Sequence, residues 1–111
     1  MAIDDERRQM IVRAVLAAEP TQTEAWSDLD ALSTQTIVDT IETFEAEIRI
    51  EDDQDASFSG PLIWYVLLNY GPEGDDRLTT SESFPGQFHG RFEGATAVVD
   101  RITVDVSSFY Q

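Results

Sequence analysis

The feature that most constrains this chain is a run of eight apolar residues, Pro61-Leu-Ile-Trp-Tyr-Val-Leu-Leu68. The run is well short of the roughly 20 residues that cross a bilayer as a helix, so no membrane insertion is expected. Extended, the stretch Leu62 to Tyr70 is apolar on both faces, which predicts a buried central strand with neighbours on either side.

The flanking sequence supplies those neighbours. Phe44, Ala46, Ile48 and Ile50 alternate with Glu45, Glu47, Arg49 and Glu51, the pattern of a strand with one wet face. Glu51-Asp-Asp-Gln-Asp55 and Gly71-Pro-Glu-Gly-Asp-Asp76 are turns by composition, and a polar strand follows from Arg77 to Phe84. Val98, Ile102, Val104 and Val106 mark a last strand within residues 95–109.

Before Phe44 the period is helical. Residues 4–18 begin with Asp4, Asp5 and Glu6, where a helix dipole favours anions, and carry Met10, Ile11, Ala14, Val15 and Ala18 at helical spacing. Pro20 ends that helix. Thr21-Gln-Thr-Glu24 has capping-box spacing ahead of Trp26, Leu29 and Leu32, a second, short helix. Between Ser33 and Thr43 a helical stripe of Ile37, Val38, Ile41 and Phe44 competes with four Thr that favour strand, and the stripe is given precedence. The expected fold is α+β: N-terminal helices followed by an antiparallel meander of four or five strands. All 111 residues form one domain, mainly helical over 1–44 and mainly β over 45–111.

Three consecutive copies of Phe-x-Gly-x span Phe84 to Ala95. On an extended chain Phe84, Gly86, Phe88, Gly90, Phe92 and Gly94 share one face, while Pro85, Gln87, His89, Arg91 and Glu93 share the other. Rings alternating with gaps either fill this domain's own core or accept side chains of another surface. On the second reading Phe84, Phe88, His89, Arg91 and Phe92 are the candidate subunit interface.

Charge narrows the partners. The chain has 22 acids against 7 basic residues, a net −15, and every basic residue is Arg. Residues 21–60 hold eleven acids and one Arg, so the middle carries −10. Such a surface repels itself in dilute buffer and is screened at molar salt, the usage of a salt-in halophile or its virus. Seven Arg spread over the chain are too few for a basic face, so no direct nucleic-acid contact is expected. The N-terminus lacks the basic and apolar regions of a signal peptide, so the expected location is a virion or the cytoplasm of a high-salt host.

Candidate chemistry is sparse. Without Cys there is no thiol nucleophile or cysteine zinc site, and without Lys no Schiff base. His89 is the one histidine; flanked by Phe88 and Gly90, it has no nucleophile near it in sequence, and the reading is a structural or surface role. Asp53, Asp55, Ser57 and Ser59 alternate like a calcium loop, but Phe58 stands where the sharp turn needs Gly. No catalytic residue, metal or cofactor is assigned.

Asp55-Ala-Ser-Phe-Ser-Gly60 resembles the D-x-S-x-x-G element of PilZ domains, which bind cyclic di-GMP. The R-x-x-x-R that such a domain also needs is not formed by Arg7, Arg8, Arg13 and Arg49. Asp28 to Ile48 is similar to the prosthetic-group region of acyl carrier proteins, with Ala31 in the place of the modified serine. Neither resemblance implies a ligand here. The function expected from sequence is a non-enzymatic structural or assembly subunit contacting other protein subunits, as in a virion, neck or tail component. The alternatives are an acidic inhibitor that mimics nucleic acid and a small ligand-binding module.

Overall fold

Two helices precede the strands: α1 (Ala2–Ala17) and α2 (Trp26–Asp30). The strands are β1 (Gln35–Thr43), β2 (Arg49–Ile50), β3 (Ser57–Tyr70), β4 (Leu78–Glu93) and β5 (Thr96–Val104). Short 3₁₀ turns lie at Pro20–Gln22, Glu45–Glu47 and Ser107–Tyr110. The computed structural model describes residues 2–51, 56–71 and 78–110, with backbone alone for 2–4. Most of the two acidic turns expected from sequence, Arg77 at the start of the polar strand, and Asp53 and Asp55 of the calcium-like pattern lie outside the described residues.

The architecture is α+β, with N-terminal helices followed by an antiparallel sheet of five strands in the order β1-β3-β4-β5. β3 pairs along its whole length with β4, so β2, which also pairs with β3, lies on the edge that β1 occupies. β1 runs opposite Asn69 back to Leu62, and β2 resumes opposite Ser59 and Phe58. Residues 44–48 therefore stand where only Gly60 and Pro61 face them, and the edge strand loops out around a notch. Proline suits that place because it has no N–H to offer a neighbour.

Two expectations need correction here. Residues 33–44 are not helix, since Gln35–Thr43 is strand. The register slips between Val38 and Thr40, leaving Asp39 as an extra residue. This bulge sets one inward side chain three positions from the next, Val38 and Ile41, and so imitates helical spacing. Residues 44–50, expected as one wet-faced strand, are a 3₁₀ turn and a two-residue strand. Only Ile48 of that alternation is fully buried.

The inner face of the sheet holds the core. β3 contributes Phe58, Leu62, Trp64, Val66 and Leu68, β4 contributes Phe84 and Phe88, and β5 contributes Ile102. Ile11 and Val15 of α1 and Leu29 of α2 close over them, each without exposed surface. Burying side chains of this size is worth about 1.5–3 kcal/mol each before conformational entropy is set against it. Polar groups drawn inside are bonded: Trp64 Nε1 donates to Thr103 O at 3.0 Å, and Thr36 Oγ1 donates to Leu29 O at 2.8 Å. The free edge of β5 is capped where Ala25 N donates to Ile102 O and Ile102 N donates to Glu24 Oε2.

Among the described residues no helix lies over the outer face. β3 is central in the sheet, yet its second apolar face, Ile63, Tyr65 and Leu67, is only half-buried. Among the described residues no helix is long and apolar enough to cross a membrane.

Candidate functional site

The Phe-x-Gly-x run forms the second half of β4, and its two faces have different fates. Phe84 and Phe88 point inward and are 1% and 0% exposed, so both rings belong to this chain's own core. Phe109 covers Phe84 edge-on, with ring centroids 6.3 Å apart. The gaps between the rings are filled from within. A Cβ at Gly86 would lie 2.8 Å from Trp64 Nε1, and one at Gly90 would collide with the Phe58 ring. In the reverse sense, the Phe88 ring occupies the space over Gly60, where an added Cβ would stand 2.6 Å from its ζ carbon. Phe92, half-buried, packs edge-on against Phe58 at 5.4 Å and lies under the Arg7 guanidinium at 5.5 Å.

The other face of the run lies on the open side of the sheet, and the pairing register aligns it with residues far away in sequence. Arg49 of β2 stands opposite Ser59 of β3, Ser59 opposite His89 of β4, and His89 opposite Arg101 of β5. Cross-strand partners point to the same side, so these four residues form one row across the outer face. At about 4.8 Å between neighbouring strands, its backbone spans about 14 Å from Arg49 to Arg101. Arg49, His89 and Arg101 are exposed and make no hydrogen bond or ion pair among the described residues.

One row along, Ser57 pairs with Arg91 and Arg91 with Val98, while Glu51 N donates to Ser57 O and carries the ladder on. Arg91 is already engaged. Its Nη2 bonds Glu93 Oε1 at 2.6 Å and its Nη1 bonds Asp100 Oδ1, contacts with Asp100 foremost that raise the guanidinium further above its ordinary pKa.

Asp100 is the residue that aligns the row. Gly90 pairs with Val99 and His89 with Arg101, so Asp100 is a bulge without a partner on β4. An unbroken register through Asp100 would set Asp100 opposite His89 and turn Arg101 inward, against Phe88. The bulge instead returns Ile102 to the core and places Arg101 beside the imidazole.

A depression of about 350 Å³ opens at this row, lined by Arg49, Ser59, Gly60, Pro61 and Gln87. It lies at the notch left where the edge strand loops out. A second, of about 320 Å³, lies further along the strands and is lined by Asp39, Tyr65, Leu67, Ser81, Glu82 and Ser83. Beside it Tyr65 Oη donates to Glu42 Oε1 at 2.8 Å, an interaction that raises the phenol above its ordinary pKa. Among the described residues no three His, Asp or Glu side chains come together as a metal site.

Of the residues singled out from sequence, His89 and Arg91 are thus on the open face, Phe84 and Phe88 are inside, and Phe92 is between the two. Sequence reasoning missed Arg49, Ser59 and Arg101. The readable signal for Arg101 was the parity of its strand: Ala97 and Val99 are followed inward by Ile102 and Val104, a shift from odd to even that marks a bulge.

An α+β fold whose open sheet face sets an imidazole in line with two guanidinium groups, both unengaged among the described residues, is equipped to hold phosphate oxyanions, since the planar fork of Arg matches their geometry. Over residues 4–110 the chain matches the family described as predicted pPIWI-associating nuclease, and it belongs to that family. No curated protein and no solved structure matches it.

Membership overturns several expectations. The chain is not the non-enzymatic virion or assembly subunit inferred from sequence, nor either of the alternatives set beside it, because the family is one of predicted nucleases. The exclusion of direct nucleic-acid contact, with protein subunits as the only partners, falls with it. The error was physical: it averaged seven Arg over the chain, whereas strand register brings two of them, Arg49 and Arg101, into one row with His89.

Proposed function

We propose that this chain cleaves nucleic-acid phosphodiester bonds on its outer sheet face, at the row Arg49, Ser59, His89 and Arg101, in company with a pPIWI protein. The observation that carries the reading is the register that aligns the one imidazole with two guanidinium groups unengaged among the described residues, with a depression at the Arg49 and Ser59 end of the row. Arg101 and Arg49 bind the phosphoryl oxygens from either side of His89 and stabilise the charge that builds on them during attack. His89 moves the proton. Ser59, between Arg49 and His89, offers a hydroxyl to the same phosphate.

The test is cleavage of end-labelled RNA and DNA oligonucleotides by the purified chain in molar KCl. His89→Ala is expected to slow cleavage by about 10²-fold or more, the usual contribution of a positioned acid or base. Arg49→Ala with Arg101→Ala should lower both binding and rate, while Arg13→Ala, on exposed α1 surface, leaves them unchanged. Cleavage that survives His89→Ala and the double Arg variant within about threefold refutes the site.

A further inference from the structure

Resting on that reading of the site, we infer that its substrate is single-stranded RNA and that the attacking group is the ribose 2′-hydroxyl next to the scissile phosphate. The row offers one proton acceptor, His89, between two fixed positive charges. Hydrolysis by an outside water asks more of a site, because the water itself must be held in line with the bond that breaks. A 2′-hydroxyl is already tethered to the phosphate it attacks, so the protein has only to remove its proton and neutralise charge. Those are the two tasks that an imidazole flanked by guanidinium groups performs.

The shape of the face points the same way. In-line attack requires the ribose to turn until O2′ lies opposite the leaving O5′, which a single strand permits and a stacked duplex resists. The outer face is an open sheet surface on which a flexible strand can lie. From the row at Ser59 it continues along β3 over Pro61, Ile63 and Tyr65, all half-exposed, and the acids Asp39, Glu42 and Glu82 begin only at the second depression beside Tyr65. Same-face positions along a strand recur about every 6.7 Å, close to the step of an extended nucleotide chain, so consecutive bases can rest on these side chains while a phosphate occupies the row.

The step balances without any further reactant but water. His89 takes the 2′-hydroxyl proton as O2′ bonds to phosphorus, and the bond from phosphorus to O5′ breaks. O5′ takes a proton from water, and the hydroxide so formed is neutralised by the proton on His89. The products are a 2′,3′-cyclic phosphate on one fragment and a 5′-hydroxyl on the other.

The experiment compares four oligonucleotides of one sequence with the native chain and with His89→Ala: all-RNA, all-DNA, DNA with one ribonucleotide, and RNA with one 2′-deoxynucleotide. Product ends are identified by mass spectrometry. Expected are RNA cleavage at least 100-fold faster than DNA, cleavage of the mixed DNA only after its ribonucleotide, no cleavage at the deoxy position, and cyclic-phosphate ends. Equal cleavage of RNA and DNA with 5′-phosphate ends, abolished by His89→Ala, overturns this inference and leaves the site standing. RNA cleavage undiminished in His89→Ala overturns the site. Failure of the native chain to cut any of the four overturns both.

Discussion

The contact between Gly60 and Phe88 gives a quantitative test of how the ring ladder is used. Phe88 is 0% exposed, pairs with Gly60 across the β3 and β4 strands and has its ring 6.2 Å from that of Phe58. Replacing such a ring with Ala costs about 3–5 kcal/mol, a large part of the roughly 5–15 kcal/mol that holds a domain together. Gly60→Ala forces a Cβ to within 2.6 Å of the Phe88 ring and 3.3 Å of Ile48 Cγ1. Overpacking of that kind costs roughly 1–3 kcal/mol, partly offset by about 0.4–1 kcal/mol from the smaller entropy of Ala in the unfolded chain. With Phe88 already removed the 2.6 Å collision is gone, Ile48 can yield into the vacated space, and the gain is left. Gly60→Ala should therefore destabilise the native protein yet stabilise Phe88→Ala, a coupling of about 1–3 kcal/mol. Urea unfolding followed by tryptophan fluorescence in molar KCl measures all four corners of the cycle. Additivity within about 0.5 kcal/mol, or a cost of Phe88→Ala below about 1 kcal/mol, would show that the ring does not fill the core of the isolated chain.

The β5 bulge, two hydrogen bonds to acidic side chains and the net charge each give a further prediction. Deleting Asp100 removes only the bulged residue, so the variant should fold with His89 still opposite Arg101 and keep its activity in the oligonucleotide assay. Deleting Arg101 instead sets Asp100 opposite His89; circular dichroism should report the same fold, and cleavage should be lost. Tyr65, raised chiefly by its hydrogen bond to Glu42, should ionise above its ordinary range in an ultraviolet titration, and Glu42→Gln should bring it down. That bond's stabilisation is present below the unfolded-chain pKa and is lost as pH rises through the folded one. Asp105 is lowered chiefly by its hydrogen bond with Ser107, so its share of stability holds above the unfolded value and disappears as pH falls through the lowered one; NMR titration against Ser107→Ala checks the direction. Thermal unfolding in a KCl series should show the midpoint rising from dilute buffer to molar salt as the −15 charge is screened.

The parts of the fold that were legible in sequence are those in which one side-chain period runs unbroken. α1 and the central strand fall where Ile11, Val15 and Leu62 to Leu68 place them, since nothing interrupts the spacing. β1 was misread because Asp39 bulges out of the edge strand, and the 3.6 and 2.0 periods become indistinguishable over so few residues. Of the candidate row only His89 was legible in the same sense: alternation puts it, with Arg91, on one face of β4. What they face is set by pairing with strands 12 and 40 residues away along the chain, from His89 to Arg101 and to Arg49, and a single sequence carries no trace of that pairing.

Net charge and local charge answer different questions, and the distance over which salt screens decides which one a substrate meets. At 0.1 M salt the Debye length is about 10 Å, comparable with the breadth of the sheet, so a nucleic acid approaching the row also feels the acids around it. At 1 M it is about 3 Å, shorter than the spacing between strands, and only groups in direct contact count. Phosphate contacts normally weaken steeply with salt because counterions are displaced. Here added salt also removes the repulsion of a −15 chain, so the two effects oppose each other. Binding of an oligonucleotide to the His89→Ala chain should therefore fall with salt less steeply than its few Arg contacts alone predict. Arg101→Ala should lower affinity at every salt concentration, because it removes a contact and leaves the long-range field almost unchanged. A chain can thus be strongly acidic overall and still offer a phosphate a positive row, provided strand register, rather than composition, gathers the charges.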